Sequence, residues 1–172
     1  MPNYCTNVLM LNEDSNDSIW DVLRDYISNG RLDFELIRPM PDELRGTTSP
    51  TPKDTDPTIR EALIQKYGAD NWWDWCVQNW GTKWNCDMDA EKNQSKHCMT
   101  MDTAWSPPIP IVAQLSKLTG RDFRLTYIEE GVDFCGEYFS YPNWLENHDH
   151  EHSPISSAPK KLQKELVSEW TW

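Results

Sequence analysis

Three histidines alternate with two acidic residues between His148 and His152. In an extended segment alternate side chains face the same side, so His148, His150 and His152 could together ligate a divalent metal ion. The segment is polar and brings no apolar shell that would orient metal ligands, which favours a solvated linker over a metal centre. We therefore expect no bound metal ion and no cofactor.

A second candidate for chemistry combines a thiol at Cys86 with the neighbours His97 and Cys98. A thiolate beside an imidazole could act as a nucleophile, or the two groups could be zinc ligands. Strand alternation puts His97 and Cys98 on opposite faces, and no third partner follows at a suitable spacing, so buried thiols are favoured. The chain has five widely spaced cysteines, an odd number that is typical of reduced thiols in the cytoplasm.

The sequence has none of the motifs of nucleotide-binding loops, α/β-hydrolase nucleophiles or zinc proteases. Catalytic sites can also form from residues that are far apart in the chain. A small metal-dependent enzyme that uses the histidines or the Cys86 region is therefore kept as an alternative. The main prediction is a protein without catalytic residues, which acts by binding.

Five tryptophans lie between positions 72 and 84. On a helix, Trp73, Val77 and Trp80 would form one stripe, which Trp84 extends, and core packing is favoured for that stripe. The flanking indoles could pack in the core, or form an exposed platform for cations, bases or another protein. These flanking residues, with acidic neighbours, make the segment a candidate binding site.

The first half of the chain predicts a β-α-β unit followed by an insertion. Residues 4–12 are largely apolar and predict a buried strand, and residues 17–30 have apolar side chains at helical spacing before a glycine. Residues 32–38 alternate like a half-buried strand. The Thr- and Pro-rich segment 43–58 predicts a mobile loop, and segment 57–84 predicts a Trp-rich helical insertion.

The second half predicts two hairpins around a helix. Residues 84–88 and 99–103 alternate and predict the arms of a long hairpin. Residues 106–120 begin with Ser-Pro-Pro and carry an apolar stripe, which predicts a helix. Residues 123–127 and 134–141 then predict a second hairpin.

The C-terminal segment predicts an amphipathic helix after a polar linker. Leu162, Leu166 and Trp170 recur every four residues among lysines and glutamates. Packing of this helix on its own domain is favoured, and docking on a partner or on a second copy is the alternative. The residues predicted to bind a partner are Trp72, Trp75, Asp70, Asp74, Leu162, Leu166 and Trp170.

Five motifs together carry a resemblance to a known family. They are MPNYCTN at 1–7, IRPMP at 37–41, the tryptophan segment at 71–84, WSPP at 105–108 and YIEEG at 127–131. In this order they resemble the YubB-type family of plasmid, prophage and pathogenicity-island proteins with a ferredoxin-like domain. The resemblance spans about residues 1–141 and departs from the family pattern at 118–121, in the loop 43–58 and after residue 141.

The resemblance implies an α+β fold with a ferredoxin-like β-α-β-β-α-β core and an antiparallel sheet. With the elements above, this predicts a ferredoxin-like domain over residues 1–141 and a linker with a C-terminal helix over residues 142–172. The fold name describes topology and predicts no iron–sulfur cluster, and the cysteines lack the close spacing that such clusters need. The resemblance carries over no catalytic residues.

The charge and the resemblance together shape the functional prediction. The chain has 28 acidic and 16 basic residues and a net charge of −12, which favours solubility or an anionic surface for a basic partner. We expect a non-enzymatic accessory protein of a phage or other mobile element, in the host cytoplasm and not in a membrane. It would bind and inhibit a host protein, such as a defence nuclease or a CRISPR complex.

Two further possibilities concern nucleic acid and self-association. Direct binding of nucleic acid is disfavoured by the charge, and would require a basic patch formed from Arg121, Arg124, Lys83, Lys92 and Lys96 beside exposed aromatics. A homodimer is an alternative partner for the C-terminal helix.

Overall fold

The computed structural model describes residues 3–12, 16–90, 92–93 and 95–168. Trp170 of the predicted partner-binding group lies outside the described residues, as do the first two residues of the opening motif. Within the described ranges, no helix is both long enough and apolar enough to cross a membrane.

The described elements form a five-stranded main sheet, a separate two-stranded hairpin and the helices around them. The strands are β1 (Tyr4–Leu11), β2 (Ile27–Ser28), β3 (Arg31–Leu32), β4 (Cys98–Ala104), β5 (Phe123–Glu129), β6 (Phe134–Ser140) and β7 (His148–His152). The α-helices are α1 (Ile19–Val22), α2 (Phe34–Ile37), α3 (Asp42–Arg45), α4 (Pro57–Tyr67), α5 (Trp72–Trp80), α6 (Ile109–Thr119) and α7 (Lys160–Ser168). Short 3-10 helices cover Arg24–Tyr26, Trp144–Glu146 and Ile155–Ser157.

The main sheet has the order β4-β1-β5-β6-β7, and all neighbouring strands are antiparallel. Strand β1 lies between β4 and β5, while α6 connects those two strands in the chain. This split β-α-β connection around a central strand is the arrangement of a ferredoxin-like core. The segment that would pair with the outer side of β4 in such a core forms an isolated bridge between Asp87 and Asp102.

The predicted fold class is confirmed. The structure is α+β, with an antiparallel sheet, the helical insertion of α4 and α5, and a C-terminal helix α7. The predicted hairpin before α6 is present only in part, because its first arm contributes the bridge at Asp87 instead of a continuous strand. The second hairpin is present as β5 and β6, which pair from Phe123 with Ser140 to Glu129 with Phe134.

The predicted helix over residues 17–30 is wrong in its second half. Helix α1 ends at Val22, and after a 3-10 turn the chain enters the β2–β3 hairpin. Asn29 and Gly30 have φ angles of 53° and 77°, and two consecutive positive φ angles are the backbone of a type I′ hairpin turn. The Asn-Gly pair therefore closes a hairpin and does not end a helix.

The predicted strand over residues 32–38 is also wrong. Its centre is helix α2, which Asp33 caps by accepting a 3.0 Å hydrogen bond from the backbone N–H of Glu35. Phe34 and Ile37 are buried, whereas Leu36 is 49% exposed. The burial therefore follows the i, i+3 spacing of a helix, because the cap at Asp33 starts a helical turn.

Two apolar cores lie on opposite faces of the sheet. The larger one packs the sheet against α2, α5 and α6, with Tyr127, Phe34, Phe123, Leu9, Met99 and Leu115 among its fully buried side chains. The smaller one lies beneath α7, where Leu162 and Leu166 pack with Ile128 and Cys135. Both faces of the central sheet are therefore covered by helices of the same chain.

Helix α7 packs on its own domain, as the favoured alternative predicted. Leu162 and Leu166 are each 3% exposed. Arg124 on β5 connects the sheet to α7 by polar contacts. It donates hydrogen bonds of 2.8 Å to Glu137 on β6 and 2.9 Å to Glu165 on α7. The structure therefore contradicts the placement of Leu162 and Leu166 on a partner-binding surface, because their apolar face already covers the sheet.

Candidate protein-binding surface

The tryptophan segment buries a different face from the one predicted. Trp75 and Trp80 are buried, whereas Trp73 is 38% and Val77 40% exposed. Helix α5 ends at Gly81 with a φ of 79°, so Trp84 lies beyond the helix and cannot extend a helical stripe. The predicted buried stripe is therefore confirmed at Trp80 and wrong at Trp73 and Val77, and the prediction of an exposed Trp75 on the flank is wrong.

The buried indoles have specific partners in the core. Trp80 donates a 2.8 Å hydrogen bond from Nε1 to the carbonyl of Arg38, and its ring packs edge-to-face on Phe34 and Trp75. Trp72 is half-buried, and its backbone N–H donates to Thr47 Oγ1 at 2.9 Å. These contacts place Trp75 in the core and leave only part of Trp72 open to a partner.

Asp70 belongs to a buried network and does not form part of an open surface. Its carboxylate accepts hydrogen bonds from Arg60 Nε and from Asn71 Nδ2, the latter at 2.8 Å. Burial alone would raise the pKa of Asp70, but hydrogen bonds from Thr51, Asn71 and Arg60 outweigh it and hold the pKa below its usual range. Asp74 is half-buried, and its backbone N–H donates to Asn71 Oδ1, which caps α5.

The thiol of Cys86 is buried and hydrogen-bonded within the core. Burial raises the pKa of the Cys86 thiol to about 12, and its Sγ donates to the carbonyl of Leu32 at 3.3 Å. A protonated thiol is neither a good nucleophile nor a zinc ligand. Across residues 3–12, 16–90, 92–93 and 95–168, no group of three or more His, Cys, Asp or Glu side chains is placed to hold a metal ion.

Two strongly exposed large apolar side chains lie next to each other where the sequence predicts a polar linker. Trp144 is 61% and Leu145 71% exposed, and both belong to the 3-10 helix between β6 and β7. Isolated exposed apolar residues are common, but adjacent ones that include tryptophan are typical of protein-binding sites. The sequence signal for them is the Asn-Trp-Leu-Glu tetrapeptide at 143–146, which is hidden by the polar residues around it.

The loop that carries Trp144 and Leu145 is held by side-chain hydrogen bonds. Asn147 Oδ1 accepts a 2.7 Å hydrogen bond from the backbone N–H of Tyr141, which closes the loop. Asn143 Nδ2 donates to Glu146 Oε1 at 3.0 Å within it. A loop fixed in this way loses less conformational entropy when a partner binds.

A stack of rings continues this exposed region onto the sheet. The imidazole of His148 stacks on Phe139 with ring centroids 4.8 Å apart, and on Tyr141 at 6.0 Å. The Nδ1 atom of His148 lies 3.0 Å from the carbonyl oxygen of Glu146. We call the set formed by Trp144, Leu145, His148, Tyr141 and Phe139 the Trp144 surface.

The histidine segment is an ordered strand and not a linker. Strand β7 pairs with β6 from His148 opposite Phe139 to His152 opposite Cys135. The Tyr127 hydroxyl on β5 donates a 2.8 Å hydrogen bond to Asp149 Oδ1. Burial and then the Asp149 carboxylate raise the pKa of Tyr127, so this hydroxyl keeps its proton and acts as the donor.

Three of the basic residues considered for nucleic-acid binding are engaged in ion pairs or a ring contact. Arg121 pairs with Asp17 at 2.9 Å, and Arg124 is held between Glu137 and Glu165. Lys83 lies over the ring of Trp84 at 4.7 Å from its centroid. The carboxylates beside both arginines weaken the local positive field that phosphates would need.

The antiparallel sheet with its split β-α-β connection defines a ferredoxin-like α+β protein. Comparison with protein families agrees, since residues 79–160 match a family described as a ferredoxin-like domain in Api92-like protein. The match includes the Trp144 surface and β7, and it begins after most of the helical insertion. Comparisons with curated proteins and with solved structures gave no match.

Proposed function

We propose that this protein acts by binding another protein through the Trp144 surface. The supporting observation is the pair of adjacent, strongly exposed side chains Trp144 and Leu145 on a loop that is closed by hydrogen bonds. Burial of one large apolar side chain contributes about 1.5–3 kcal/mol, and tryptophans are enriched among residues that dominate binding energy. Two such side chains in a fixed loop are therefore suited to act as an anchor.

The acidic charge of the chain favours a partner with a basic surface. The net charge is −12, and complementary charge speeds the encounter between proteins and excludes wrong partners. The resemblance to the YubB-type family supports a role in a mobile element. On that basis, the partner we propose is a host protein, such as a defence nuclease or CRISPR complex, and binding would inhibit it.

The alternative of a nucleic-acid-binding module is less well supported. A ferredoxin-like sheet binds RNA by stacking bases on aromatic side chains of an open sheet face. Here α7 covers one face and α5 and α6 cover the other. Phe139 is one aromatic on the α7 side, and it is occupied by the His148 ring and the Arg124 guanidinium.

Affinity capture with paired variants tests the proposal. The full chain is immobilised and exposed to host lysate, and captured proteins are identified by mass spectrometry. The same capture is run with W144S/L145S and with the matched control I59S/I64S, which removes two exposed apolar side chains from α4. Ile59 is 58% and Ile64 44% exposed, so neither double variant removes a core residue.

The proposal predicts a host protein that the unaltered chain and I59S/I64S retain and that W144S/L145S loses. Circular dichroism and thermal unfolding of each variant would show that the fold is kept. Equal capture by all three proteins would contradict a role for the Trp144 surface. Loss only with I59S/I64S would move the binding site to the helical insertion.

A further inference from the structure

Strand β7 leaves one side of its backbone open. It is the last strand in the order β4-β1-β5-β6-β7, and in the described ranges no strand pairs with its outer side. Exposed sheet edges carry unpaired N–H and C=O groups, which can pair with a strand of another chain. The strand also begins directly after the loop that carries Trp144 and Leu145.

Contacts at both ends and in the middle hold this strand in place. At its start His148 stacks on Phe139, and in its middle Asp149 accepts the hydrogen bond from Tyr127. Beyond its end, Ser153 Oγ donates to the carbonyl of Asp133 at 3.2 Å. An edge that is already ordered needs little reorganisation to accept another strand.

The charge pattern of β7 disfavours pairing with a second copy. If two copies of β7 paired antiparallel about a two-fold axis, the two sheets would join into one continuous sheet. Residues that face the same side of this sheet would then lie opposite each other. Acidic Asp149 and Glu151 lie on one face and the histidines on the other. Every such register that pairs more than one residue of β7 puts an acidic residue opposite an acidic residue, which is destabilising.

The same pattern fits a strand of opposite charge. We propose that β7 binds an extended segment of the partner protein, with Lys or Arg at alternate positions, as an added strand of the sheet. The main-chain groups would supply affinity, and Asp149 and Glu151 would select basic side chains on their face. The proposal rests on the protein-binding function and specifies which part of the partner meets the sheet edge.

Synthetic peptides test the edge directly with the full chain. The probe is a ten-residue peptide of alternating lysine and valine with blocked ends, and binding is measured by isothermal titration calorimetry. Two control peptides replace each lysine with glutamate, or keep the lysines and methylate alternate backbone nitrogens. The protein variants are E151K on β7 and E61K on α4, which make the same charge change at two exposed positions.

The proposal predicts that the lysine peptide binds and that neither control peptide does. E151K should weaken binding by roughly tenfold, and E61K should change it by less than about twofold, because only Glu151 faces the added strand. Binding of the methylated peptide, or equal effects of E151K and E61K, would show general attraction to an acidic protein and overturn the proposal. Absence of binding would overturn it as well. In that case the proposed function would still stand if the capture experiment shows that W144S/L145S alone loses the host protein.

Discussion

Gly136 on β6 lies directly opposite Tyr127 on β5. The tyrosine ring occupies the space beside Gly136 that is free because glycine has no side chain. A Cβ atom at position 136 would overlap the Tyr127 hydroxyl and would lie 2.8 Å from the carbonyl oxygen of His150. The tyrosine therefore reaches Asp149 on β7 only because residue 136 has no side chain. This relationship links the core to the edge strand.

Replacing Gly136 with alanine should destabilise the sheet. The added methyl group forces Tyr127 or β7 to move, and overpacking of this kind lowers the free energy of unfolding by about 1–3 kcal/mol. Urea denaturation of G136A against the unaltered chain measures the change. G46A is a control, since a Cβ at Gly46 would meet no atom within 4 Å. Equal stability of G136A and the unaltered chain would show that the close contact with Tyr127 is absent.

Removing the Tyr127 hydroxyl should loosen β7 while keeping the core. Y127F deletes the donor to Asp149, and one hydrogen bond contributes about 1 kcal/mol to stability. Hydrogen exchange followed by mass spectrometry should show that Y127F speeds exchange in residues 148–152, relative to the unaltered chain, more than it speeds exchange in β1 or β5. The control Y4F removes a hydroxyl from a ring that is 48% exposed and should leave this exchange unchanged. Unaltered exchange of β7 in Y127F would contradict the anchoring role of the hydroxyl.

Truncating Leu166 should release α7 from the sheet. The side chain is 3% exposed in the small core with Ile128 and Cys135, and Leu to Ala in a core costs about 2–5 kcal/mol. Hydrogen exchange in residues 160–168 of L166A should approach that of an unfolded segment. Val167, which is 64% exposed, provides V167A as a control with a change within about 0.5 kcal/mol. Protected α7 amides in L166A would show that the small core is not what holds the helix.

Asp70 should make stability depend on acid pH. Its pKa is lowered in the folded chain, where hydrogen bonds from Thr51, Asn71 and Arg60 outweigh burial. The charged form therefore stabilises the fold above the ordinary aspartate pKa of about 4, and this contribution is lost as pH falls through the lower folded value. D70N should be less stable than the unaltered chain near neutral pH.

The difference between D70N and the unaltered chain should shrink as the pH is lowered from 5 towards 2. Thermal unfolding across this range measures it, with E61Q as a control that removes one exposed carboxylate from α4. A difference that stays constant with pH would show that the charge of Asp70 does not stabilise the fold.

The central sheet could be predicted from the sequence because its strands show clear local patterns. Residues 4–12 and 123–127 are apolar on at least one face, and both form strands of the main sheet. The pattern failed at Asn29 and Asp33, where a turn and a helix cap compete with the apolar spacing. Both competing signals are local, and each can be identified from the residue types.

The candidate surface could not be predicted, because exposure depends on contacts between distant segments. Which indoles of α5 are buried is decided by packing against α6 and by the helix end at Gly81. The polar residues near Trp144 are typical of a linker, but those at 148–152 pair with β6 and form strand β7. An apolar pair such as Trp144 and Leu145 becomes recognisable as exposed only after the strands on either side are placed.

Site-specific crosslinking tests most directly whether the Trp144 surface contacts a partner. A photoreactive benzophenone amino acid is placed at position 145, or at the exposed control position 64, and each protein is irradiated in host lysate. The proposed function predicts a crosslink to one host protein from position 145 and none from position 64. A crosslink from position 64 alone, or none from position 145 under conditions in which the partner is captured, would contradict it.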